Sequence, residues 1–167
     1  HYLETGELMP DEIIAEMRDY DAILLGAIGD PRVEVGLVER AVIAGLRFKL
    51  DLWVNLRPIK LFHEDLCPLK DTKPEQVDFT VCRENTEGHY AMITGMFKKD
   101  TQDEMTTQLE VNTYKGVERI IRFGFEQARK RNKQNKLLLV DKANAVRAQD
   151  IYTRLFEQIG QEYPDIE

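Results

Sequence analysis

The sequence predicts an α/β fold with parallel strands. Two continuous apolar runs, 21–26 and 136–140, read as strands buried on both faces, the kind parallel sheets use. Between and around them, 10–20, 36–50, 114–131 and 148–159 carry apolar residues at helical spacing. Two strand-like runs, 91–97 and 105–111, flank a charged turn at 98–104 and read as a hairpin arm.

Each element has a local reason. Pro10 suits a first helical turn, and Ile13, Ile14 and Met17 follow at helical spacing. The run Ala22-Ile23-Leu24-Leu25 ends in Gly26-Ala27-Ile28-Gly29-Asp30-Pro31. A glycine-containing loop at a strand's carboxyl end is where open α/β sheets bind ligands. This one lacks the full dinucleotide fingerprint and is not a phosphate-binding P-loop. Over 36–50, Leu37, Ala41, Ala44 and Phe48 form an apolar stripe. Residues 52–57 alternate as a strand, and Pro58 restricts the residue before it. Residues 66–76 are loop-like, and 78–82 read as a strand. A two-stranded hairpin is rarely stable alone, so the 91–111 arm wants a partner surface. The 114–131 helix ends in Arg129-Lys130-Arg131, basic residues that favour a helix C-terminus. The last helix closes near Gly160.

At 167 residues the chain is long enough for one domain with a core. A formal charge of −7 argues against nucleic acid as a partner, while leaving room for a local arginine cluster to hold an anion. No run approaches the length of a membrane span. Cys67 and Cys82 make no disulfide framework and read as reduced thiols of a cytoplasmic protein. His1, His63 and His89 lack ligand spacing, so no metal site is expected in this chain. The chain opens at His1, just before a helix-like segment, and stops at Asp165-Ile166-Glu167, where a strand is starting. It therefore reads as a segment of a larger protein.

Three groups of residues carry chemistry. The stretch Val81-Cys82-Arg83-Glu84-Asn85-Thr86-Glu87-Gly88-His89-Tyr90 delivers an arginine at a strand end and then a tyrosine beyond a turn. On a plain strand Arg83 and Tyr90 would face opposite sides; the Asn85–Gly88 turn is what can fold both toward one cleft. There a fixed cation with five donors would sit beside a phenol able to give or take a proton. Arg47 and Arg57 flank a helix end and a strand, and a planar guanidinium can pair two carboxylate oxygens at once. Lys142 stands at the end of the 136–140 strand, where burial near cations would lower its pKa toward that of a base.

Arg-Glu-Asn-Thr-Glu-Gly with a following tyrosine resembles the signature of the metal-dependent hydroxyacid oxidative decarboxylases, the isocitrate/isopropylmalate dehydrogenase family. Three further matches reinforce it: Gly26-Ala27-Ile28-Gly29-Asp30-Pro31, Leu46-Arg47 with Asn55-Leu56-Arg57-Pro58, and Val140-Asp141-Lys142-Ala143-Asn144. The resemblance covers nearly the whole chain but only about half of a family member. It implies the family's α/β fold, incomplete here, with 1–57 belonging to the large cofactor-side domain. Residues 58–167 would form most of the smaller dimerisation and substrate domain, and the 91–111 arm would pair with its twin in a homodimer.

By the same resemblance Arg47, Arg57 and Arg83 hold the carboxylates of a 2-hydroxy diacid, and Tyr90 and Lys142 handle protons, the lysine entering from the partner subunit. Asn144 resembles a residue near substrate and nicotinamide. The implied reaction is NAD-dependent oxidative decarboxylation assisted by Mg or Mn, whose ligands are expected outside this chain. Ile43 and Ala44 suggest an apolar wall that favours an isopropyl substituent, hence 3-isopropylmalate and leucine biosynthesis. Arg40 on the same helix keeps homoisocitrate open, and tartrate or D-malate follows. An alternative of another class is a catalytically inactive fragment or dimerisation module that keeps the arm.

Overall fold

The structure, a computed structural model, describes residues 1–167. Two compact units divide the chain, His1–Trp53 and Val54–Glu167, and all of the first strand, Arg57 included, goes with the second.

The first unit is helical. Helix α1 (Tyr2–Thr5) is closed by Gly6, and α2 (Asp11–Met17) opens after Pro10 with Asp11 and Glu12 in its first turn, favourable at the positive end of a helix. Residues 37–49 form one helical run in three parts: α3 (Leu37–Glu39), a π turn over Arg40–Ala44, and α4 (Gly45–Lys49). Ile14 and Leu46 are its buried apolar side chains. A Lys49–Asp11 ion pair at 2.5 Å and a bond from Arg18 to the Lys49 carbonyl tie α2 to α4.

Two expectations change here. The buried face of 37–49 carries Leu46 while Phe48 is exposed, because a π turn inserts a residue and rotates everything after it about the axis. Residues 21–26 form no strand, and Leu24 is fully exposed. A parallel strand takes all its hydrogen bonds from flanking strands, and this unit contains none.

The second unit holds the strands. Strand β1 (Val54–Lys60) pairs antiparallel with β2 (Asp78–Glu84), in a register that sets Asn55 opposite Arg83 and Arg57 opposite Val81. Strands β3 (Thr94–Phe97) and β4 (Met105–Gln108) make the hairpin arm, with every residue of both exposed. Below the arm, Gly88 and Val111 bridge through backbone bonds of 2.7 and 3.2 Å.

Helix α5 (Tyr114–Arg131) begins at Thr113, whose hydroxyl accepts the Gly116 N–H at 3.0 Å. It ends where Asn132 turns left-handed and returns its N–H to the Ala128 carbonyl at 3.2 Å. Helix α6 (Asp150–Gly160) packs along it. Val117, Ile120, Ile121 and Phe125 from α5 meet Leu155 and Ile159 from α6 in the core. Phe125 stacks between Phe156 at 5.3 Å and Tyr163 at 4.7 Å.

The expected strand at 136–140 is not formed, and Leu138 and Val140 are 76% and 85% exposed. Leu137 does pack on α5, where Gly124 leaves room: a Cβ there would stand 3.2 Å from it. Both ladders are antiparallel, unlike the pairing that apolar runs suggest. Parallel pairing survives as one bridge, in which Glu167 N–H donates to Asn135 and Leu137 N–H donates to Glu167, both at 2.8 Å. No helix is long and apolar enough to cross a membrane.

Candidate active site

Pairing in β1–β2 decides which side chains can meet. Residues directly opposite share a face, so Asn55, Arg57, Val81 and Arg83 project to one side. Leu56, Thr80 and Cys82 take the other, where Arg131 of α5 bonds Thr80 and Asp78. Arg57 and Arg83 are thus diagonal neighbours on one face of the pair. Arg57 is exposed, and its Nε donates to Asn55 Oδ1 at 2.6 Å.

The turn after β2 folds the tyrosine back onto the arginine. Gly88 adopts φ 69, ψ −134, a conformation that side chains strain to reach, and Tyr90 follows in a short 3-10 turn. The Arg83 guanidinium lies 5.3 Å from the Tyr90 ring centroid and donates to Asn85 Oδ1 at 3.0 Å. Its Nε is buried and makes no hydrogen bond. A buried donor left unmet is costly, and a carboxylate laid beside it would meet it.

The rest of the motif is scaffolding, which sequence reading missed. The Glu84 carboxylate accepts from Thr86 N–H at 2.7 Å, Thr86 Oγ1 at 2.8 Å, Glu87 N–H at 2.6 Å and Arg119 of α5 at 3.0 Å. Glu87 accepts from Thr113 N–H and Oγ1 at 2.8 and 2.6 Å, just before α5. A Cβ on Gly116 would come within 2.3 Å of that carboxylate, so glycine makes the approach possible. Tyr152 of α6 also faces these carboxylates, and no motif marks it. Burial first, then Glu84, Glu87 and Glu110, push its phenol up to about 12, so it stays protonated. Hydrogen-bond partners 26 to 35 residues apart leave no local pattern by which to find them.

Arg83 and Tyr90 line a cleft of about 1190 Å³ beside α5, which also takes in Asp141 and Tyr152 but not Lys142. Lys142 is exposed, so the burial expected to favour its neutral form is not supplied within this chain. Its turn is nonetheless well made: the Lys142 carbonyl accepts from Ala145 and Val146 N–H at 2.9 and 2.8 Å, and Asp141 accepts from Thr153 at 2.8 Å. Asn144 is exposed on the same turn.

Arg47, Ala44 and Ile43 belong to the first unit, Arg47 on α4 and the other two on the π turn. Ile43 is exposed, and Arg40 pairs with Glu34 at 3.9 Å. No group of three or more His, Cys, Asp or Glu side chains could hold a metal ion. The Gly26–Pro31 loop follows no strand.

The family model for isocitrate/isopropylmalate dehydrogenases matches residues 1–167. The chain belongs to that family. Proteins named 3-isopropylmalate dehydrogenase from Thermobifida fusca and Corynebacterium jeikeium are 44% and 47% identical to it, over 98% and 99% of the chain. Those matches take in 46% and 48% of the two relatives, so the chain spans about half the length of the curated relatives it matches. The crystal structure of isocitrate dehydrogenase from Methylococcus capsulatus superposes with a TM-score of 0.82 at 34% identity, over 99% of this chain and 47% of that one. The fold is thus the family's α/β fold in incomplete form, which explains strand segments left without neighbours.

Proposed function

We propose that the complete protein is an NAD-dependent decarboxylating dehydrogenase of a 2-hydroxy diacid, with 3-isopropylmalate of leucine biosynthesis as substrate. The observation that carries the reading is the buried, unbonded Nε of Arg83, set beside the Tyr90 ring on the face that also bears Arg57. A fixed cation with an unmet donor suits a carboxylate, and an adjacent phenol suits a proton transfer. The relatives named 3-isopropylmalate dehydrogenase support the choice of substrate.

In this reading Arg47, Arg57 and Arg83 bind the two carboxylates. Lys142 receives the proton of the 2-hydroxyl, and Tyr90 supplies one to the carbon that loses carbon dioxide. Ile43 and Ala44 line the side of the isopropyl group, and Asn144 lies toward the nicotinamide. NAD and Mg or Mn belong to the complete protein, with the metal ligands outside this chain. Residues 1–57 fall to a cofactor-side domain and 58–167 to a substrate and dimerisation domain. Partner pairing through the 91–111 arm would cover β3 and β4, whose side chains are all exposed. The free thiols of Cys67 and Cys82 fit a cytoplasmic protein.

The fully exposed arm also favours a second reading, an inactive dimerisation module. Turnover of isopropylmalate, D-malate, tartrate, homoisocitrate and isocitrate by the complete protein, measured side by side, decides. Isopropylmalate is expected to give the highest kcat/KM; if it proves the poorest, the apolar-wall argument fails. No turnover of any of the five favours the module.

A further inference from the structure

The turn that carries Lys142 is held by a side chain no motif contains. Gln149 Oε1 accepts the Lys142 peptide N–H at 2.5 Å. The other end of the same amide, Nε2, donates to Glu110 Oε1 at 2.9 Å. That carboxylate is well buried, its side chain 11% exposed, and it also accepts from Asn112 Nδ2 at 3.1 Å. Asn112 in turn donates to the Ala148 carbonyl at 2.8 Å, just before Gln149. Glu110 adjoins Val111, whose backbone pairs with Gly88 in the turn that sets Tyr90.

We propose that Gln149 is a positioning residue for Lys142. Its amide ties the lysine's peptide N–H to the Glu110 carboxylate and fixes the point from which the amine projects. The two bonds need an acceptor and a donor on separate atoms at the end of the side chain, which an amide offers, whereas an ionised carboxylate has no donor and an aliphatic end has neither. Asp141, held by Thr153, secures the residue before, so the lysine backbone is fixed while its ammonium stays exposed. A base held in this way keeps its reach and loses its freedom to wander, and small misplacements of a reacting group are expensive in rate. The proposal rests on the reading of Lys142 as the proton acceptor.

The test is Gln149→Met in the complete protein, a near-isosteric change that removes both bonds. Hydrogen exchange over 141–146, read relative to α5, should speed up roughly five- to tenfold at the Lys142 amide. With isopropylmalate, kcat should fall roughly tenfold or more while KM stays within about twofold. A role in folding alone would lower the melting temperature and leave kcat per folded molecule unmoved, and that outcome overturns the proposal. Unchanged exchange at Lys142 overturns it as well. A wild-type protein that turns over none of the diacids sinks the functional reading instead, and the exchange rates then decide whether Gln149 holds this turn.

Discussion

At Arg83 the guanidinium has Asn85 on one side and the Tyr90 ring on the other, with its Nε buried and unbonded. Replacing Arg83 or Arg57 by Lys keeps the charge and loses the planar fork. Either change should weaken diacid binding by about 2 kcal/mol, the scale of one charge-assisted hydrogen bond, or roughly thirtyfold in Kd. Calorimetric titration of the complete protein with a non-reacting diacid reads this directly. Cys82 gives a chemical check. Burial pushes its thiol up, against the opposing pull of Arg131, so it should alkylate slowly at neutral pH and faster in urea. The arginine and tyrosine were legible because each sits in a short motif. The carboxylates that hold them were not, since Glu84 and Glu87 look like surface charges until α5 supplies Arg119 and Thr113.

Helix α5 was legible over 114–131 because an apolar stripe and three basic residues in the last turn are local signals, while its Thr113 cap is a finding of the structure. Thr113→Ala removes the cap and one of the two bonds that hold Glu87, and should cost about 1 kcal/mol or somewhat more in urea denaturation. Leu155 on α6 is wholly buried against α5, and Leu155→Ala should cost about 3 kcal/mol on the same scale. Residues 21–26 and 136–140 were misread for a physical reason. Their apolar composition records burial in a sheet, but a strand exists only when neighbours take up its backbone bonds, and neither segment has such a ladder. The π turn at Arg40–Ala44 had no signal in composition at all.

Across the second unit, two ion pairs clasp the C-terminal residues to α5: Arg122 with Glu162 at 2.7 Å and Arg129 with Asp165 at 2.5 Å. Tyr163 lies between them, with the Arg129 guanidinium 4.7 Å from its ring centroid. The hydrogen bonds from Arg122 and Arg129 hold the two carboxyls below their ordinary values of 4.5 and 3.8. Groups depressed on folding stabilise fully above those ordinary values and lose that contribution as pH falls through the folded ones. The near-UV circular dichroism of Tyr163 should therefore hold steady from pH 7 to about 5 and fade below about 4.5. Added salt should weaken the clasp at neutral pH, since both pairs are solvent-accessible. The most direct test of the whole account is steady-state kinetics with isopropylmalate on the complete protein and its Tyr90→Phe variant. The phenol set over Arg83 predicts a kcat lowered roughly 10²–10⁴-fold with KM little changed. A Tyr90→Phe enzyme with the wild-type kcat would contradict it.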